Sequence, residues 1–139
     1  MKVMTFVVTC LLIITLFCCC EAQQNTGQIQ WQDSYQKALE QSKSSSKPVL
    51  LFFTGSDWCG WCSKIEEEAI DTPEFAEAAG GKFVFVKLDF PLYSTQDPQT
   101  KAQNKTLQQK FDVRGFPTIV VLDPVQNQPI GTTGYRPGG

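Results

Sequence analysis

Two cysteines, Cys59 and Cys62, are separated by Gly60 and Trp61 and follow a short apolar run, Val49–Phe53. A short continuous apolar run is typical of a strand buried on both faces, and the residues after the cysteines have a helical pattern. A thiolate attacks disulfides, and a second thiol nearby can resolve the mixed disulfide that forms. A strand that leads into a C-x-x-C pair at the start of a helix therefore favours a redox-active dithiol.

Half of a zinc site and a structural disulfide are the alternative interpretations of this pair. The chain contains no His, and its other four cysteines, Cys10 and Cys18–Cys20, lie in the first 20 residues. If those are removed with a leader, a four-ligand zinc site cannot be completed within one chain. A structural disulfide is expected to close a larger loop. We therefore favour the redox interpretation and expect no metal site.

The start of the chain, residues 1–22, resembles a secretory signal peptide. A positive residue precedes the almost wholly apolar segment Val3–Phe17, and Cys20–Ala22 places small residues at the −3 and −1 positions of a cleavage site. We predict an exported protein whose domain spans residues 23–139. An uncleaved membrane anchor is one alternative, and a lipoprotein anchored through one of Cys18–Cys20 is another.

Composition limits the remaining function classes. The 139 residues suit one domain, and 42% hydrophobic residues can supply its core. The net charge of −2 gives no indication of a nucleic-acid partner. Cleavage after the leader would leave Cys59 and Cys62 alone, and an exported chain with a single C-x-x-C pair more often handles disulfides than is stabilised by them.

Residue patterns predict the order helix, strand, helix, strand, helix, strand, strand. The predicted helices run from Trp31 to about Ser42, from Cys59 with a restart at Thr72-Pro73, and from Asp97-Pro98 to about Phe111. The predicted strands are Val49–Phe53, Phe83–Val86 with an end near Asp89, Thr118–Leu122 and Ile130–Tyr135. Crossover helices imply parallel strands, and a final hairpin adds an antiparallel edge. We expect an α/β fold with a mixed sheet and helices on both faces. The sequence pattern predicts no particular role for the loop Phe90–Gln96.

These motifs, in this order, resemble the thioredoxin family. The resemblance rests on Trp58–Cys62 after a buried strand, on Arg114–Thr118 before a later strand, and on a closing hairpin with Gly134. It covers most of the chain from about Trp31 onward and implies a thioredoxin-like fold. The chain is also similar to a narrower group, the exported bacterial thioredoxin-like disulfide reductases, in three longer strings: Phe53–Cys59, Leu88–Pro91 and Gly134–Gly139.

The resemblance implies the catalytic roles. Cys59 would be the attacking thiolate and Cys62 the buried resolving thiol. The redox-active disulfide between them would serve without a further cofactor.

Five residues form the substrate-binding set that the resemblance implies. Pro117 would be a cis-proline that faces the cysteines, although a trans proline that opens an edge strand is the alternative. Phe116 would offer its backbone to a bound substrate. Trp58 and Trp61 would form an apolar collar, and Gly60 lies between the cysteines.

The implied function is the reduction of protein disulfides outside the cytoplasm. Its partners would be disulfide-bonded exported proteins and a membrane electron donor of the DsbD type, and we expect a monomer. A disulfide oxidase or isomerase with the same site remains an alternative, as does a non-catalytic substrate-binding module.

Three departures from ordinary thioredoxin qualify this picture. Trp61 stands where thioredoxin has proline, which leaves the direction of electron flow open. The strand Val49–Phe53 lacks a buried acid, so proton transfer to Cys62 must use water, Asp57 or no dedicated group, and we favour a loop role for Asp57. The chain stops at Gly139, where the family's final helix would begin. We expect a C-terminal truncation, because a bare sheet face would be a large apolar patch.

Overall fold

The computed structural model describes residues 29–137. Within these residues the strands are β1 (Trp31–Gln32), β2 (Val49–Thr54), β3 (Val84–Asp89), β4 (Thr118–Leu122) and β5 (Pro129–Gly134). The helices are α1 (Tyr35–Ser45), α2 (Gly60–Ile65), α3 (Pro73–Ala79) and α4 (Pro98–Lys110), and a π-helical turn, Glu66–Ile70, continues α2. The predicted signal peptide, the cysteines considered for lipid attachment and Gly139 lie outside the described residues.

The strands form one mixed sheet in the order β1-β3-β2-β4-β5. β3 pairs in parallel with β1 and β2, whereas β4 pairs antiparallel with both β2 and β5. The crossover from β2 through α2 and α3 to β3 and the final hairpin have the connectivity expected from the sequence. The predicted mixed sheet is therefore confirmed.

The central strand β2 is buried along its whole length because helices cover both of its faces. Val49, Leu51 and Phe53 pack into a core layer together with α1 and α4. Leu50 and Phe52 point to the opposite face, toward α2, the π-helical turn and α3. The prediction of helices on both faces is confirmed. Among the described residues, β5 is followed by Tyr135 to Pro137 and by no helix.

The predicted start of the first helix was wrong. Trp31 belongs to β1, opposite Phe85 of β3, and its ring lies 5.3 Å from the Phe85 ring and 5.9 Å from that of Phe52. The helix begins instead after Ser34, whose hydroxyl accepts the Lys37 N–H at 3.3 Å. Trp31 matched the helical spacing, but a two-residue strand is too short to have a periodicity of its own.

Two other helix starts lie where the capping pattern predicts them. The Thr72 hydroxyl accepts the Phe75 N–H at 3.2 Å, and the Asp97 carboxylate accepts the Thr100 N–H at 2.8 Å. Each cap is followed directly by a proline at the first helical position. None of the helices within residues 29–137 is long and apolar enough to cross a bilayer.

Candidate active site at Cys59 and Cys62

Cys59 and Cys62 lie at the start of α2, directly beyond the buried end of β2. The Cys59 N–H donates to the Gly55 carbonyl at 2.9 Å, and the Cys59 sulfur accepts the Cys62 N–H at 3.2 Å. The two cysteines are joined by a disulfide, with their Cα atoms 5.2 Å apart. Cys59 is 7% exposed and Cys62 1%. Cys59 is therefore the more accessible of the two cysteines to an incoming thiol or disulfide.

Trp58 is held in place by the residues around it. Its indole N–H donates to the Phe90 carbonyl at 2.8 Å, and its ring meets that of Phe116 edge to face at 5.8 Å. A Cβ at Gly55 would lie 2.5 Å from the indole Cε2 and Nε1 atoms. Glycine at position 55 thus allows the indole to lie flat against the backbone.

The Phe116–Pro117 peptide bond is cis, as the resemblance implies. The Thr118 hydroxyl donates to the Gly115 carbonyl at 2.7 Å and closes the turn around this bond. On the neighbouring strand, a Cβ at Gly134 would lie 3.0 Å from the Pro117 carbonyl oxygen. β5 therefore approaches this turn as closely as a residue without a side chain permits.

A groove with a volume of about 590 Å³ lies beside the disulfide. Its lining residues come from α2, the turn before β4 and the end of β5: Trp61, Gly115, Phe116, Pro117, Thr118, Gly134, Tyr135 and Pro137. Three of the five predicted substrate-binding residues are among them. Trp58 flanks the groove through its contact with Phe116. Apart from its chain neighbours and the backbone of α2, no heavy atom lies within 4 Å of a Cβ built on Gly60, so the space above it is open to a ligand.

Tyr135 is a site residue that the sequence reasoning did not single out. Its ring lies 5.1 Å from that of Trp61, and its hydroxyl donates to Glu68 Oε2 at 2.9 Å. This hydrogen bond to Glu68 is the main reason why the pKa of Tyr135 lies above its ordinary value of 10.0. Trp61, which is 58% exposed, also has the Lys64 ammonium 5.8 Å from its ring. The side chain of Trp61 is thus supported although much of it faces solvent.

Asp57 attaches the cysteine loop to the segment after β3. Its carboxylate accepts the backbone N–H groups of Leu92, Tyr93 and Ser94 and the hydroxyl of Ser94, at 2.8–2.9 Å. These hydrogen bonds, of which the one from the Leu92 amide has the largest effect, lower the pKa of Asp57 to about 2. A carboxylate held ionised in this way is a poor proton acceptor for Cys62, and the contacts match the loop role expected for Asp57. The partners lie 35 to 37 residues away, so no local pattern could have revealed them.

Metal-binding side chains do not cluster in the part of the chain that the structure describes. His, Cys, Asp and Glu form no group of three or more among residues 29–137 that could hold a metal ion. The residues that line the groove beside the two sulfurs include no charged side chain.

Comparison with known proteins decides the family. A family model described as thioredoxin-like matches residues 30–124. The chain belongs to the thioredoxin-like family. Chlamydia pneumoniae DsbH, a disulfide bond reductase, is 37% identical over 92% of this chain and 83% of its own length. DsbJ, a thioredoxin-related protein of the same organism, is 35% identical over 85% of this chain and 35% of its own length.

Solved structures agree with this assignment. A DsbH oxidoreductase superposes with a TM-score of 0.75 at 40% identity, covering 80% of this chain and 76% of that one. A Thermus thermophilus thioredoxin, at 20% identity, has a TM-score of 0.60 over 79% of this chain and 78% of its own and supports the fold alone. With the disulfide between Cys59 and Cys62, the similarity identifies a DsbH-like thiol–disulfide oxidoreductase.

Proposed function

We propose that this thioredoxin-like chain is an exported reductase of protein disulfides. The observation that carries the proposal is the unequal exposure of the two cysteines of one disulfide, with Cys59 at 7% and Cys62 at 1%. Cys59 can therefore contact a large substrate while Cys62 remains buried. The direction of electron flow is supported by the similarity to the disulfide bond reductase DsbH.

The proposed cycle begins with both cysteines reduced. The Cys59 thiolate attacks a substrate disulfide, forms a mixed disulfide with one substrate sulfur and releases the other as a thiolate. The Cys62 thiolate then attacks Cys59, which forms the Cys59–Cys62 disulfide and releases the second substrate sulfur. Two electrons have passed to the substrate, and two must return from a donor before the next turn.

The start of α2 favours the thiolate form of Cys59. The Cys62 N–H already points at the Cys59 sulfur at 3.2 Å, and the first N–H groups of a helix have no partners within it. α2 and the π-helical turn together run from Gly60 to Ile70, so their aligned peptide dipoles add a positive potential at Cys59. A hydrogen-bonded, electrostatically stabilised thiolate is both a nucleophile and a good leaving group.

The substrate chain would bind across the surface next to Cys59. We propose that Phe116 and Pro117 present backbone to it from the groove, that Trp61 and Trp58 flank it, and that open space above Gly60 admits it. Such a surface, apolar and shallow, suits an extended or partly unfolded polypeptide.

The cellular setting is part of the proposal. Residues 1–22 would direct export, with a lipid on one of Cys18–Cys20 as the alternative that keeps the protein on the membrane. The protein would act as a monomer in the periplasm or an equivalent compartment on disulfide-bonded exported proteins. A membrane electron donor of the DsbD type would reduce it again, and no nucleic acid is involved.

The reduction potential of the Cys59–Cys62 pair tests the direction. The mature protein is equilibrated with glutathione or dithiothreitol buffers, and the reduced fraction is followed by thiol alkylation. A potential of about −270 mV, as in thioredoxin, agrees with a reductase, whereas one of about −120 mV, as in DsbA, would show that the pair donates its disulfide as an oxidase does. A Cys59→Ser, Cys62→Ser protein that kept full function would point to a non-catalytic binding module instead.

A further inference from the structure

The loop between β3 and α4 presents two large side chains to solvent beside the cysteine loop. Leu92 is 67% exposed and Tyr93 is 82% exposed. We propose that these two residues, the Leu92–Tyr93 lip, select substrates by contacting apolar side chains that flank the substrate cysteine. The inference rests on the proposed function and specifies its substrate class as disulfides in extended, apolar segments.

The backbone of the lip is fixed by Asp57. The Asp57 carboxylate accepts N–H bonds from Leu92 and Tyr93 at 2.9 Å and from Ser94 at 2.8 Å, and a fourth bond from the Ser94 hydroxyl. Asp57 precedes Trp58 and Cys59 directly in the chain. The loop that carries the lip and the loop that carries the attacking sulfur are therefore attached to each other.

Both ends of the lip loop are anchored as well. The Phe90 carbonyl accepts the Trp58 indole N–H at 2.8 Å, and the Phe90 ring lies 4.9 Å from that of Phe116. The Asp89 carbonyl accepts the side-chain amides of Gln96 at 3.0 Å and Asn104 at 2.8 Å. Asn104 is itself buried. The loop therefore loses little further conformational entropy when a partner binds it.

Large exposed side chains on an anchored backbone indicate a surface that contacts a partner. Hydrogen bonds from its backbone hold the loop in place, and Phe90 packs against Phe116, while the large side chains of Leu92 and Tyr93 are left in water. Large exposed apolar patches mark sites of interaction, and Trp58, Leu92 and Tyr93 are three exposed large side chains in these two attached loops. No residue from 90 to 96 carries a charge, and the nearby Asp57 carboxylate is occupied by four hydrogen bonds. A lip of this composition matches uncharged, apolar side chains.

The reaction itself brings a polypeptide to this place. In the mixed disulfide, a substrate sulfur is bonded to Cys59, and an extended chain covers about 3.3 Å per residue. Cys59 stands two residues from Asp57, which bonds to the Leu92 amide. A substrate chain that runs from the Cys59 sulfur toward Asp57 would therefore bring residues a few positions from its bonded cysteine to Leu92 and Tyr93.

Paired peptides test the lip. Two homodimeric disulfide peptides are compared, one with leucine and phenylalanine beside its cysteine and the other with serine and glutamine at the same positions. Pre-reduced, desalted protein is mixed with each peptide, and the second-order rate constant of disulfide exchange is measured in a single turnover. The readout is the ratio of the apolar-peptide rate to the polar-peptide rate, which cancels any loss of active protein.

We expect the double variant Leu92→Ser, Tyr93→Ser to lower this ratio about tenfold, because it removes the contact with the apolar flank only. The matched control is Val125→Ser, Ile130→Ser, which removes two side chains of similar exposure, 81% and 63%, at the other end of the sheet. Its ratio should equal that of the wild type.

The outcomes separate the two proposals. If the wild type and the lip variant had the same ratio of rates, the proposed role of the lip would be wrong. The same would follow if the ratio fell equally in the control variant. Neither result would contradict the reductase function. A wild type that reduces the two peptides at the same rate would also overturn the proposed role of the lip. A wild type that reduces neither peptide would overturn the proposed function, and the lip would fall with it.

Discussion

The indole nitrogen of Trp58 donates a hydrogen bond to the carbonyl oxygen of Phe90 at 2.8 Å, across 32 positions of sequence. This bond joins the loop that carries the reactive cysteine to the end of β3. Phe116, before the cis peptide bond, contacts the rings of both residues. Three chain segments therefore meet in one aromatic cluster beside the disulfide, and the predictions below concern the residues that hold this arrangement.

Replacement of each cysteine should give a different result. Cys59→Ser should abolish turnover, since it removes the attacking sulfur. Cys62→Ser should accumulate mixed disulfides between Cys59 and substrate, because the resolving sulfur is missing. Non-reducing gels after incubation with a disulfide-bonded protein substrate measure the adduct, and Cys59→Ser, Cys62→Ser serves as the adduct-free control. Absence of adducts with Cys62→Ser would contradict the proposed cycle.

Gly55→Ala should destabilise the protein. Its Cβ would lie 2.5 Å from the Trp58 indole, so the ring must shift, which strains its hydrogen bond to Phe90. We expect the free energy of unfolding to fall by about 1–3 kcal/mol, the usual cost of overpacking, as measured by urea denaturation.

Gly60→Ala is the matched control, because nothing lies within 4 Å of its Cβ and the residue opens α2. Alanine should leave stability unchanged or raise it by up to about 1 kcal/mol. Equal losses at positions 55 and 60 would show that the Trp58 contact is not responsible.

The attachment by Asp57 should weaken in acid. The pKa of Asp57 is lowered from 3.8 to about 2 in the folded protein, so its stabilisation is present above pH 3.8 and is lost as the pH falls through about 2. We expect the Leu92, Tyr93 and Ser94 amides to lose protection from hydrogen exchange across this interval, relative to amides of β2.

Asp57→Asn should make the same amides exchange faster already at neutral pH, because it removes the charge of the carboxylate that accepts their hydrogen bonds. Asp97→Asn is the control, because Asp97 is also an aspartate with a lowered pKa that accepts a backbone N–H, from Thr100. It should affect the start of α4 and leave the loop amides protected. Unchanged exchange of those amides in Asp57→Asn would refute the attachment.

The Tyr135–Glu68 contact should weaken in base. The pKa of Tyr135 is raised above 10.0 by its hydrogen bond to Glu68, so the contact stabilises fully below pH 10.0 and is lost as the pH rises through the folded pKa. The ultraviolet absorbance of tyrosinate in wild type minus that in Tyr135→Phe gives the midpoint of Tyr135. Glu68→Gln should shift this midpoint down, and an unchanged midpoint would argue against the contact.

Local patterns in the sequence predicted much of this fold. The apolar runs of β2, β3 and β4 and the caps at Thr72 and Asp97 were identified correctly, because each depends on residues within one element or one helical turn. The pair Cys59 and Cys62 was placed at a helix start for the same reason. The catalytic and substrate-binding roles of the predicted site residues remain predictions.

Contacts between distant segments were decided only in the tertiary structure. Trp31 forms a short edge strand, not a helix, because its ring packs against Phe52 and Phe85. Phe90–Gln96 received no role from its sequence, and Asp57 and Trp58 hold it beside the cysteines. Tyr135 joins the site through Trp61 and Glu68.

The difference has a physical cause. Strand burial and helix capping are recorded in neighbouring residues, since the interacting groups lie close along the chain. The surface around Cys59 depends on hydrogen bonds and ring contacts that span more than 30 residues, and no short pattern records which distant group will accept or donate. The sequence alone therefore determined the two sulfurs and the elements that carry them, while folding decided which side chains surround them.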